Sequence, residues 1–130
     1  MAKQPKWIRR LTGTLEAIRP GGKIAKTHHK EASGYLEQGR RLYNKKDYSG
    51  AEELFREAVH ADTRYPLAHY YLGLCLYKRD KAEDALKAWE RAIEVGPGSD
   101  AAFKADKKIE YARKKLNLTI AELESRVRRD

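Results

Sequence analysis

The chain has a single cysteine, Cys75, so no internal disulfide can staple it, and a reducing setting such as the cytoplasm is expected. It lacks any run near the ~18 apolar residues of a membrane span. Its start lacks the apolar stretch of roughly 7–15 residues that marks a secretory signal. An Arg-rich, acid-poor start is also the composition of an organelle presequence, and that reading stays open. Glycine-rich phosphate loops are missing: Pro20-Gly21-Gly22 follows no strand pattern and has no Gly-Lys-Ser/Thr ending. His28 and His29 are adjacent in a basic segment with no cysteine or carboxylate cluster beside them, which makes a poor metal site. No residues group as nucleophile, base and orienter. These gaps point away from an enzyme and from any catalytic residue, metal, cofactor or small-molecule substrate. Acidic residues are scarce in one place. Residues 1–31 hold eight basic side chains and only Glu16 and Glu31, so two thirds of the net charge of +9 lies there.

What is present is charge and a period. Charged residues make up 36% of the chain and hydrophobic ones 41%, a balance that suits long, partly exposed helices over a compact sheet. A shift of 34 residues aligns Gly39 with Gly73, Leu42 with Leu76, Tyr43 with Tyr77, Ala51 with Ala85, Phe55 with Trp89 and Ala58 with Ala92. A fixed period of this size marks stacked helical repeats. Gly39 and Gly73 fall where a first helix must approach its neighbour closely. Ala51, Phe55 and Ala58, and again Ala85, Trp89 and Ala92, sit at i, i+4, i+7 on one stripe of a second helix. Asn44-Lys45-Lys46-Asp47 and Lys78-Arg79-Asp80-Lys81 supply the turns inside the two units.

These residues resemble the tetratricopeptide repeat family, whose unit is a helix–turn–helix of this length. Residues 66–99 carry Leu72-Gly73, Leu76, Ala85, Trp89, Ala92 and Pro97 at the signature places. Residues 32–65 match through Gly39, Leu42, Tyr48, Ala51, Phe55 and Ala58, departing with Gln38 for an apolar residue and Thr63 for the closing proline. A degenerate third unit is expected over 100–130, with Lys107 at the glycine place. There Asp100 caps a helix to about residue 115 bearing Phe103, Ile109, Ala112 and Leu116. A box of Thr119 and Glu122 then opens a last helix to about residue 128. The same Thr119 ends a glycosylation-like Asn117-Leu118-Thr119, and the cap is its better use. The expected fold is an all-α solenoid, 32–130, of two clear repeats and a capping helix pair.

By that resemblance the first helices line a concave groove that receives a peptide or a helix of a larger complex. Its lining would be Leu36, Arg40, Tyr43 and Asn44 from one unit and Leu67, Tyr70, Leu74, Tyr77 and Lys78 from the next, with Tyr71 beside them. Tyrosines suit such a face because each gives large apolar contact with a polar tip. One subgroup of the family grips a terminal carboxylate, but the matching places here hold Leu36, Arg40, Tyr71, Ala101 and Ala105, and only Arg40 can hold an anion.

Before the repeats, Trp7, Leu11, Leu15 and Ile18 make an amphipathic stripe that predicts a short helix over 4–19, ended at Pro20 and followed by a flexible basic linker over 21–31. The stripe fits the repeat domain itself, a partner protein or ribonucleoprotein, or an acidic lipid surface. Lys6, Trp7, Arg9, Arg10 and Leu11 are its contact candidates, since an aromatic among cations allows base stacking with phosphate contact. The function expected is therefore an adaptor that holds a protein partner in the groove with the arm as second contact. The alternative is an RNA-, ribonucleoprotein- or membrane-associated protein anchored by residues 1–31.

Overall fold

The computed structural model describes residues 23–129, with side chains from residue 28. The expected helix over 4–19 and the arm contacts Lys6, Trp7, Arg9, Arg10 and Leu11 lie outside the described residues. Five helices follow one another among the described residues: α1 Lys23–Asn44, α2 Tyr48–Ala61, α3 Pro66–Lys78, α4 Ala82–Val95 and α5 Asp100–Arg129. No strand occurs among the described residues. Each helix packs on the next, α1 also meets α3 and α3 meets α5, while α1 and α5 do not touch. Contacts confined to neighbours are the arrangement of a linear stack.

The period of 34 is written into the backbone as well as the side chains. Lys46 and Asp80, one period apart, are the only described non-glycine residues with positive φ, at 66° and 61°. Around each, the same pair of bonds closes the preceding helix. The Asp47 amide donates to the Leu42 carbonyl and the Lys46 amide to Tyr43, as Lys81 does to Leu76 and Asp80 to Tyr77. This left-handed stop satisfies carbonyls that a helix end leaves open. Asp47 then caps α2 by accepting from the Gly50 amide at 3.1 Å.

Packing repeats too. A Cβ on Gly39 would stand 2.6 Å from the Phe55 ring, and one on Gly73 would strike Trp89. The glycines exist so that these rings, almost fully buried, can lie across the first helix of their own unit. Trp89 secures its place by donating from Nε1 to the Tyr70 carbonyl at 3.1 Å. The two units are joined by a carboxylate on α2. Glu52, only 8% exposed, meets Lys81 at 3.3 Å, Arg79 at 3.1 Å and Arg56 at 3.6 Å. Burial alone would raise its pKa, but the Lys81 hydrogen bond and the three cations outweigh this and hold it below the usual value.

Three expectations are corrected. The linker over 21–31 is helical from Lys23, because residues 23–33 contain neither glycine nor proline and the segment is pinned to the connection between α2 and α3. His29 Nδ1 lies 2.8 Å from Asp62 Oδ2, and its ring rests 4.7 Å from that of Tyr65. The cap of α5 is Ser99, not Asp100: its hydroxyl accepts from the Ala102 amide at 3.1 Å and donates to the Gly96 carbonyl at 2.7 Å. The capping pair expected over 100–130 is a single helix of 30 residues, α5. Thr119 does not open a helix there; its hydroxyl donates back to the Lys115 carbonyl, 3.0 Å away, inside the running helix.

The reason α5 does not turn lies one period upstream. Leu72, Gly73 and Leu76 face the returning helix in the second unit, and their counterparts in α5 are Asp106, Lys107 and Glu110, all exposed. A second helix laid on that face would bury three charged side chains and find no glycine to admit its ring. Only the other side of α5 is buried, through Ala101, Ala102, Ala105, Ile109 and Ala112.

Candidate functional site: the face of α1, α3 and α5

The first helices of the units stand side by side, and one position recurs on them. Tyr43 on α1, Tyr77 on α3 and Tyr111 on α5 are each 34 residues apart. Tyr43 and Tyr77 are half-buried, and Tyr111 is 49% exposed. Tyr43 stands edge-on to Tyr48 at 5.3 Å, and Tyr77 lies against Trp89 at 5.8 Å. The core therefore holds one edge of these two rings and leaves the other outward. Burial first, then the neighbouring Tyr48, Cys75, Tyr70 and Tyr71, push the Tyr43 phenol above its ordinary pKa. It stays protonated, and so a hydrogen-bond donor, across the physiological range.

Cations edge the tyrosines. Arg40 and Lys108 stand three residues before Tyr43 and Tyr111, Lys78 one after Tyr77 and Lys104 seven before Tyr111, and all four are exposed. The Arg40 guanidinium lies over the Tyr71 ring at 5.1 Å, and the Lys115 ammonium over Tyr111 at 5.0 Å. The Tyr111 hydroxyl chiefly, with the Tyr77 phenol further off, raises the Lys115 pKa. No carboxylate occupies positions 33, 36, 40, 43 and 44 or their counterparts one and two periods on, while Glu37 and Asp47 stand at the first-unit places of Tyr71 and Lys115. Such a face presents rings to apolar side chains and positive charge to anions.

Of the residues expected in the groove, Tyr43 and Tyr77 hold the ladder, Leu67 and Leu74 are half-buried on α3, and Arg40, Asn44 and Lys78 are exposed. Two are corrected. Leu36, 3% exposed, and Tyr70, 8% exposed, belong to the core cluster, with Tyr70 held edge-on to Tyr71 at 5.4 Å. Tyr71 is itself half-buried and stacked on Phe55 at 5.7 Å. Sequence reading missed Tyr111, Lys104, Lys108 and Lys115, although the same shift of 34 that linked Tyr43 to Tyr77 leads on to Tyr111. Among the described residues no group of three or more His, Cys, Asp or Glu side chains is placed to hold a metal ion, and no helix is long and apolar enough to cross a membrane. His69 is a packing residue: 5% exposed, its Nε2 donates to the Thr63 carbonyl at 2.8 Å.

Paired helices stacked one-dimensionally, with a recurring aromatic on the first helix of each unit, define a helical-repeat binding module. A tetratricopeptide repeat model matches residues 36–103, just over half of the chain, and the chain belongs to that family. Domains of this family mediate protein–protein interactions and are generally not enzymes. Over 65 residues the chain is 34% identical to Tetratricopeptide repeat protein 1 of Schizosaccharomyces pombe. That segment is 49% of this chain and 6% of the yeast protein, so the chain spans a small part of that relative's length. No solved structure matches the chain.

Proposed function

We propose that the chain is an adaptor that holds an acidic peptide segment or helix of a larger assembly on the face of α1, α3 and α5. The observation that carries this reading is the ladder Tyr43, Tyr77, Tyr111 flanked by Arg40, Lys78, Lys104 and Lys108 with no carboxylate among the matching positions. Apolar side chains of the segment would lie on the rings, and its carboxylates would meet the phenol donors and the cations. A cytoplasmic setting goes with this role and with the lone thiol.

The test is cross-linking capture with mass spectrometry, followed by titration of the captured segment. Tyr43→Ala with Tyr77→Ala should weaken binding at least tenfold at a temperature where far-ultraviolet circular dichroism shows the variant still folded, although its melting temperature falls because the rings also pack on Tyr48 and Trp89. Equal affinity in that double variant would remove this face as the site. A second reading places the contact in Lys6, Trp7, Arg9, Arg10 and Leu11, favoured by the charge of residues 1–31. Deleting residues 1–22 leaves α1 whole and separates the two. Arm-centred binding to RNA or anionic lipid would vanish and would have fallen steeply with salt, whereas binding on the tyrosine ladder would persist.

A further inference from the structure

The last helix outruns the fold. At 1.5 Å per residue, α5 is about 45 Å long and α4 about 21 Å, so over twenty ångströms of α5 project past the layer it packs on. Its buried stripe does not stop where that layer ends. Ala105, Ile109 and Ala112, packed in the core, continue in the same direction as Leu116, Ile120, Leu123 and Val127. Their steps are four, three, four, four, three, four, which is one line on a helix. The last four are 50%, 45%, 55% and 76% exposed.

We infer that this projecting stripe is a second docking surface, distinct from the tyrosine face, and that its occupant is an acidic amphipathic helix of another protein. Two observations choose the occupant. The first is the width of the stripe. It is a narrow seam, bounded by Lys115, Thr119 and Arg126 on one side and Arg113, Asn117 and Glu124 on the other. A seam of this kind receives a helix, while a membrane surface calls for a broad apolar face.

The second is charge. Residues 113–129 contain six basic side chains against Glu122 and Glu124. Arg113 and Lys114 already pair with Glu90 and Glu110, and Lys115, Arg126, Arg128 and Arg129 still leave an excess of positive charge. A second copy of this helix would bring like charge to like. The stripe of Trp7, Leu11, Leu15 and Ile18 within the chain is flanked by Lys6, Arg9, Arg10 and Arg19 and meets the same repulsion. An acidic helix brings the complement.

The test uses the full chain and a labelled synthetic helical peptide of three heptads, with Leu and Ile at the seam positions and Glu beside them. The same peptide with Lys in place of Glu is the control. Fluorescence anisotropy should show binding of the Glu peptide at least tenfold tighter than of the Lys peptide. Leu116→Gln with Leu123→Gln, which leaves the charge unchanged, should weaken it at least tenfold. Leu118→Gln, on the opposite side of the helix, and Tyr43→Ala with Tyr77→Ala should leave it unchanged. Equal binding by the Gln variant, equal binding of the Lys peptide, a dimer in sedimentation that the Gln variant abolishes, or Gln-sensitive retention on phosphatidylserine vesicles would each overturn the assignment.

Discussion

The ammonium of Lys81, in the turn of the second unit, lies 3.3 Å from the carboxylate of Glu52, on the second helix of the first unit. With Arg79 and Arg56 on the same carboxylate, it makes one anion the junction of two repeats. Glu52→Gln should lower the unfolding free energy by about 1–2 kcal/mol, a figure moderated because the cations are partly exposed. Its folded pKa is depressed, so the ion pairs contribute fully above the unfolded value of 4.5 and are lost as pH falls below it. Urea titrations between pH 3 and pH 7 should show that acid limb in the parent chain and flatten it in the Gln variant.

His69 carries a second acid limb at higher pH. Burial, the larger influence, holds its imidazole neutral below the ordinary 6.5, with the nearby Arg91 adding to this, and Nε2–H donates to Thr63. The unfolded chain takes up the proton first, so stability should begin to fall as pH drops through 6.5. His69→Gln keeps a donor without the titration. Its melting temperature should change less between pH 7 and pH 5 than that of the parent.

Glycines separate by what lies above them. Gly73→Ala drives a methyl group into Trp89 and should destabilise by about 1–3 kcal/mol, and Gly39→Ala against Phe55 by a similar amount. A Cβ on Gly34, inside α1, meets nothing within 4 Å, and Gly34→Ala should stabilise by about 0.5–1 kcal/mol. Opposite shifts of the urea midpoint check the pair together.

Cys75 should be nearly inert. It is fully buried, its thiol donates to the Tyr48 carbonyl at 2.9 Å, and burial, with the Glu52 charge second, pushes its pKa up to about 11. Alkylation by iodoacetamide at pH 8 should be at least a hundredfold slower in the folded chain than in urea, since the thiolate is the reactive form.

The stacking was legible because identical side chains recur at one spacing, and a period is a long-range signal that no local ambiguity erases. Gly39 and Gly73 could be placed at a close approach of helices before any coordinates, but only the structure shows that the rings of Phe55 and Trp89 are what approaches. What the sequence could not separate was Tyr70 from Tyr77: both are tyrosines on α3, and only the ring contacts show that the first is sunk in the core while the second keeps an outer edge. The end of α5 was misread for a different reason. Thr119 and Glu122 are spaced as a capping box, but that box works only where the chain has already left the helix, and nothing from Lys107 to Thr119 is glycine or proline. Local chemistry named a start without a preceding stop. The linker over 21–31 erred likewise: basic composition suggested mobility, while the lack of a breaker after Gly22 was the stronger sign.

Asp106, Lys107 and Glu110 decide more than the surface of one helix. They make the difference between a chain that doubles back and one that keeps going, since their counterparts Leu72, Gly73 and Leu76 accept a returning helix. A closed third unit would need both an apolar face with a glycine at those three places and a stop between Lys107 and Thr119, and α5 has neither. The projecting length of α5 is therefore set by what its far side lacks, while the helices it packs on keep their own contacts.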